Sequence, residues 1–205
     1  MTGKRDWSMS RCWVILATVL VAGLAVAPGH TAADDRAGRL DLPRYAIGDA
    51  RTWYSDGTEW TETVIAVEGD LVTWEASNGD IVKTSANFVL PPVEYHQQSY
   101  GSGGNEIVEA DGDIFPLDSG KWVNLHIRED GDDDARTRFC RVGQWSEIEV
   151  AAGRFEVVEV SCQELNRTKV WYYAPAIGTF VRYLNTHRYE RTVAQDLVAI
   201  HRTGQ

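Results

Sequence analysis

Four groups of side chains in this 205-residue chain have types and spacings that could do chemistry. The run Glu129-Asp130-Gly131-Asp132-Asp133-Asp134 places five carboxylates in one short turn. Hard cations such as calcium take clustered oxygens of this kind, and Asp130, Asp132 and Asp134 are the candidate ligands. The spacing is not that of an EF-hand loop, whose acids alternate and whose closing Glu lies twelve residues from the start. Because like charges repel in a short loop, a solvated acidic hairpin tip accounts for the same run without an ion. Calcium stays open as an alternative, and nothing else in the chain calls for a cofactor.

Nucleophilic chemistry lacks its usual arrangement. His96, His126, His187 and His201 are not paired at the short helical spacing of zinc hydrolases. Ser102 sits in Tyr100-Gly101-Ser102-Gly103-Gly104, where a nucleophile elbow needs glycine two residues before the serine and a helix after it. Tyr100 occupies the first of those places, so Ser102 is assigned to a loop and no catalytic residue is named. Of three cysteines Cys12 lies in the N-terminal segment, so thiol chemistry beyond it reduces to Cys140 and Cys162, which in an oxidising compartment form a disulfide before they form a metal site. Apolar residues alternate around both: Val142, Ile148 and Val150 follow Cys140 at even positions, and Val158 and Val160 precede Cys162. A hairpin turning near Ala151, Ala152 and Gly153 sets Cys140 opposite Cys162 and Val142 opposite Val160, within disulfide reach.

The fourth group is aromatic. Trp53, Trp60, Trp74, Trp122, Trp145 and Trp171 lie beyond the N-terminal segment together with eight tyrosines. Alternate strand residues share a face, so Trp171 and Tyr173 point one way and Val170 and Tyr172 the other. Trp171 and Tyr173 are the candidate ligand-binding pair, on a concave face that suits sugars, acyl chains or a protein. Core packing is the alternative for most of these rings, since large aromatics are ordinary strand residues.

The elements that must position these residues are strands. Apolar residues alternate, or come in short Val-, Ile-, Thr-, Trp- and Tyr-rich runs broken by glycine turns, and no amphipathic helix follows the N-terminal segment. Strands are predicted over 52–55, 59–67, 71–76, 81–90, 121–128, 136–150, 155–165, 168–174, 179–187 and 192–201. Asp56-Gly57, Gly69-Asp70 and Asn78-Gly79 punctuate the first of them as hairpin turns. Pro91-Pro92 ends this first meander, over 44–95, and a Gly/Ser-rich segment at 97–105 is expected as a mobile loop leading to a second meander over 106–203. The fold class is therefore all-β: an antiparallel meander forming a curved sheet, open barrel or sandwich, preceded by an N-terminal signal helix.

Lys4, Arg5 and Arg11 precede an apolar run from Cys12 to Ala27, then Pro28, Gly29 and the small residues of Thr31-Ala32-Ala33. This is the layout of a signal peptide over 1–33, cut after Ala33. A retained signal anchor is the alternative, because the run is only slightly shorter than a membrane span. The remaining single domain, 34–205, holds 17 Lys and Arg against 29 Asp and Glu. So acidic a surface repels phosphate backbones and anionic head groups, which excludes nucleic acid as a partner and a stable membrane anchor after cleavage. The expected location is the periplasm.

Phe115-Pro116-Leu117 with Gly120-Lys121-Trp122, then Ala152-Gly153-Arg154-Phe155 leading to Cys162, then Trp171-Tyr172-Tyr173-Ala174-Pro175 with Ile177-Gly178 and Phe180-Val181-Arg182-Tyr183, resemble β-rich periplasmic proteins of proteobacteria. Those families are mostly labelled as domains of unknown function, and the likeness spans about 112–200. It implies a curved antiparallel sheet, similar in shape to the lipoprotein-carrier group, and an envelope location, and it carries over no catalytic residue. The expectation is a non-enzymatic exported binding module holding an apolar ligand or an envelope protein on a concave sheet face. The alternatives are a structural or accessory envelope domain docking by a sheet edge, or a hydrolase with no recognisable motif.

Overall fold

The computed structural model describes residues 41–188 and 192–204. The signal segment and its cleavage point lie outside the described residues. Twelve strands follow one another: β1 (Ala50–Ser55), β2 (Thr58–Glu68), β3 (Leu71–Ala76), β4 (Ile81–Ser85), β5 (Glu94–Gln97) and β6 (Gly101–Gly112). They continue as β7 (Trp122–Glu129), β8 (Arg136–Val150), β9 (Gly153–Glu164), β10 (Arg167–Ala174), β11 (Thr179–His187) and β12 (Thr192–His201). Each pairs antiparallel with its sequence neighbours, and β1 pairs with β12, so the meander closes into a barrel. Of the three architectures the sequence allows, it adopts the barrel, fully closed.

Alternation decides which side chains face in. Val123, Leu125 and Ile127 of β7, Cys140 and Val142 of β8, and Val158, Val160 and Cys162 of β9 are buried, while their neighbours Trp122, Arg128 and Phe139 are exposed. At the first hairpin Asp56 and Gly57 both have positive φ (49° and 86°), the requirement of a primed two-residue turn, whose twist matches the strands it joins.

An eight-stranded barrel is just wide enough for its own side chains to fill. Twelve strands enclose more, and two loops fold inward to take up the space. Val89 from the segment between β4 and β5, and Ile114, Phe115 and Leu117 from the segment between β6 and β7, are buried in one cluster with Val123, Leu125, Ile127, Cys140, Val142, Trp171 and Tyr173. Phe88 stacks on Tyr173 at 5.4 Å and meets Phe115 edge-on at 5.7 Å. Lys121 holds the second loop in place, donating to the carbonyls of Phe115 (2.9 Å) and Pro116 (3.1 Å).

Two expectations are thereby corrected. The strand predicted over 81–90 ends at Ser85, because the apolar residues after it serve the interior rather than the wall. The Gly/Ser-rich stretch is no mobile loop: Glu94–Gln97 and Gly101–Gly112 form a hairpin in which Gln97 pairs with Gly101 and His96 with Ser102. The glycines serve close approach. A Cβ at Gly103 would strike the Tyr95 ring, and one at Gly104 the Val93 carbonyl. The two meanders are thus joined by wall strands within one barrel.

Cys140 and Cys162 are bonded, with Cα atoms 4.0 Å apart, and Val142 lies opposite Val160 as the alternation predicts. The hairpin itself pairs Val150 with Gly153, one residue out of step with the cysteines. A bulge between Val142 and Trp145 absorbs the difference, and Gly143 there lies close against the backbone of Glu159. The ends of the barrel are tied by Asp49, which accepts from Arg202 Nη1 (2.8 Å), Thr203 N (2.8 Å), Thr203 Oγ1 (2.8 Å) and Ala46 N (3.0 Å). Burial pushes its carboxyl up, but these donors together outweigh burial and hold it down at about 2.

Two outcomes follow for stability. Replacing both cysteines with alanine lowers the unfolding free energy by about 3 kcal/mol, checked by urea titration of the double variant against the oxidised protein. Asp49 stabilises the fold above its ordinary value of 3.8, and that contribution is lost as pH falls from there towards about 2. Asp49→Asn therefore costs on the order of 2 kcal/mol at pH 7 and flattens that part of the acid limb, measured by thermal unfolding across pH.

Candidate functional site

The plug does not fill the whole interior. A cavity of about 320 Å³ remains between the plug residues Phe88 and Leu90 and a wall built from β1, β3, β4, β8, β10, β11 and β12. Its aromatic lining is Tyr45, Trp74, Phe88, Trp171, Phe180 and Tyr183. Larger clefts of about 840 and 700 Å³ flank the segment 41–46 at the barrel end, but they lack this ring of aromatics.

Each lining residue is placed by strand alternation. Lys169, Trp171 and Tyr173 occupy every second position of β10; Trp171 (7% exposed) and Tyr173 (4% exposed) are buried as a pair, as their spacing predicts. Only Trp171 reaches the cavity. Tyr173 is covered by Phe88 and belongs to the packed core, and burial pushes its hydroxyl up to about 12. Trp171 packs on Tyr183 at 5.2 Å, and burial likewise raises Tyr183 to about 12.

The sequence reading passes over the cations of this site: Arg51, Arg138 and Lys169. Each stands two residues before a buried inward-facing residue (Trp53, Cys140 and Trp171), which on a strand places it on the same face. That offset is the signal available in the sequence. Arg51 donates from Nε to Glu62 Oε2 at 2.7 Å, and its guanidinium lies 3.9 Å from the centre of the Trp74 ring. Arg138, 2% exposed, donates to Glu164 Oε2 from Nε (3.2 Å) and Nη2 (3.0 Å) and to the Val89 carbonyl from Nη1 (2.7 Å). Its bond to Val89 anchors the plug to the wall.

Glu164 is shared further. Arg136 donates to its other oxygen at 2.5 Å and Lys169 lies 3.4 Å away. Burial pushes the Glu164 carboxyl up, but the positive charges of Arg138, Lys169 and Arg136 outweigh this and bring it below its ordinary value. Lys169 moves the other way. Burial, seconded by the Arg138 charge, lowers its ammonium from 10.5 to about 8 against the opposing pull of Glu164.

The remaining sequence candidates lie apart from the cavity. Asp130, Asp132 and Asp134 are exposed in the turn between β7 and β8, and Glu129 beside them is engaged by Arg136 (2.8 Å) and the Tyr95 hydroxyl (3.1 Å). Among the described residues no three His, Cys, Asp or Glu side chains come together as a metal-binding group. Ser102, expected in a loop, sits in β6 with its hydroxyl 2.5 Å from His96 Nδ1 across the strand pair. The pair is exposed, and among the described residues no carboxylate orients the imidazole, so the third member of a triad is missing.

No family model matches the chain. No curated protein matches it either. Solved structures similar to it include the hypothetical lipoprotein YmcC from Escherichia coli, at 10% identity and a TM-score of 0.46 over 74% of this chain and 83% of that one. A second is a protein described as exported and YmcC-like in fold, from Bacteroides fragilis: 13% identity, TM-score 0.41, 80% of this chain and 100% of that one. A third, described as a lipoprotein, comes from Parabacteroides distasonis, at 12% identity and TM-score 0.39 over 80% and 100% of the two chains. The likeness is to the fold alone. Among the described residues no helix is long and apolar enough to cross a membrane.

The lowered ammonium has a measurable consequence. Lys169 feels the charges of Arg138 of β8, Glu164 of β9 and Arg167 of β10, and Tyr183 of β11 lines the same cavity. Because its folded value lies below 10.5, the folded protein releases this proton first, and stability rises with pH between about 8 and 10.5. Lys169→Met removes that rise, read as unfolding midpoints across this range in the two proteins.

Proposed function

We propose that this chain is an exported binding module that holds a small, largely apolar ligand inside its barrel rather than on an open sheet face. One observation carries the reading: an aromatic-lined cavity of about 320 Å³, partly open to solvent, remains beside the inserted loop residues Phe88 and Leu90. Apolar walls with a few placed polar groups are what small-ligand sites present. The N-terminal charge and apolar pattern supports export to the periplasm.

A second reading, an accessory domain docked on an envelope protein, is favoured by the exterior. Closure leaves no sheet edge for strand addition among the described residues, so the docking route expected from sequence is replaced by a surface patch. Trp122 and Phe139 stack at 6.1 Å on the outer wall, each 42% exposed.

Native mass spectrometry of the domain purified from periplasm separates the two. The expected result is a stoichiometric small molecule released on denaturation, absent from Trp171→Ala. A clean protein mass in both, with Trp122→Ala abolishing co-purification of a defined envelope protein, overturns the carrier reading in favour of docking.

A further inference from the structure

The cavity has a charge pattern opposite to that of the chain. The chain carries 30 Asp and Glu against 20 Lys and Arg, yet among the described residues Arg51, Arg138 and Lys169 line the cavity and no carboxylate does. Their acidic partners, Glu62 and Glu164, stand behind the lining. A cluster of this sign in an acidic protein is not a by-product of composition.

The donors are not equally occupied. Arg138 is committed to Glu164 and Val89. Arg51 bonds only through Nε, and neither Nη nitrogen has a hydrogen-bond partner among the described residues. Its guanidinium lies 3.9 Å from the centre of the Trp74 ring, 5.3 Å from that of Trp53 and 5.0 Å from that of Phe180, contacts that restrict where these donors can go. Among the described residues Lys169 reaches one carboxylate, Glu164 at 3.4 Å, which already serves Arg136 and Arg138. Three cations around Glu164 share it and Glu129 between them, which leaves an excess positive charge at the cavity wall. A partly dehydrated ammonium with so small a share of a counter-ion is costly, and an entering anion offsets that cost. The walls around it are aromatic and aliphatic: Trp74, Trp171, Phe180, Tyr183, Leu90 and Pro91.

Resting on the binding reading above, we propose that the ligand is an anionic amphiphile: a carboxylate or phosphate head seated between Lys169 and Arg51, with an apolar chain or ring body against Trp74 and Trp171. The cavity's 320 Å³ equals roughly ten waters at about 30 Å³ each, enough for one head and one modest chain and too small for a two-chain lipid. Charge-assisted hydrogen bonds from partly buried cations supply the head-group preference, and the rings supply the affinity common to every head.

The test uses a matched series on the mature protein: dodecanoate, dodecyl phosphate, dodecanol and dodecyltrimethylammonium, each below its micelle concentration, titrated by calorimetry at pH 7. Dodecanoate or dodecyl phosphate is expected to bind about ten-fold or more tighter than dodecanol, with the cation weakest, and the better of the two anions tells carboxylate from phosphate. Lys169→Met should remove most of the preference for the anions over dodecanol, read as the ratio of their dissociation constants in the same variant. Lys169→Arg should retain most of the preference, and near-ultraviolet circular dichroism of both variants reports whether the barrel is intact. Equal affinity for dodecanol and the anions, or a preference for the cation, overturns the head-group assignment and leaves the internal binding site standing. If all four fail to bind and the native mass is also clean, both the assignment and the binding reading fall.

Discussion

A twelve-stranded barrel has an interior too wide for its own wall to fill. Most of what is particular to this fold follows from that width. Two loops that would lie on the surface of a narrower barrel turn inward, carrying Phe88, Val89, Ile114, Phe115 and Leu117 to the centre. Their backbone must be satisfied where water is scarce. Lys121 caps the carbonyls of Phe115 and Pro116, and Arg138 caps that of Val89. A cation reaching inward from a barrel wall is thus partly a structural necessity, with a peptide oxygen as its partner.

The same necessity creates the electrostatics of the cavity. Burying Arg138 requires Glu164, and the cysteine pair fixes where Glu164 stands. The β8–β9 register that places Cys140 opposite Cys162 continues through Phe139 opposite Gln163, bringing Arg138 beside Glu164. Lys169 pairs across the other side of β9 with Cys162 and so joins the same group. One carboxylate then answers to three cations. A buried pair of this kind adds little net stability over an apolar replacement, but removing one partner exposes the full desolvation penalty of the other. Fold and site are joined here: the residues that lock the plug also set the charge that a ligand meets.

Sequence periodicity located the strands wherever the wall is plain, as in β7 to β12, and it failed where residues serve the interior from outside the wall. Phe88-Val89-Leu90 are apolar and look like strand, yet they are plug. The stretch 101–104 is glycine-rich and looks like loop, yet it is strand, because Tyr95 and the Val93 carbonyl leave no room for a Cβ at Gly103 and Gly104. Both failures share one cause. Local pattern reports what a residue does in its own element, and these residues answer to groups elsewhere in the barrel.

By itself the sequence determined the all-β class, the antiparallel order of neighbours, the pairing of Cys140 with Cys162 and the shared face of Trp171 and Tyr173. Each of these depends on a period of two and on turns a few residues long, which are local. Tertiary structure decided that β1 meets β12, that two loops become a plug, that Tyr173 is packed while Trp171 faces a cavity, and that Arg51, Arg138 and Lys169 converge there from separate strands. Closure joins residues about 150 positions apart, and no local pattern carries the distance between β1, β8 and β10 across a barrel. Only the curvature and register of the whole wall bring them together.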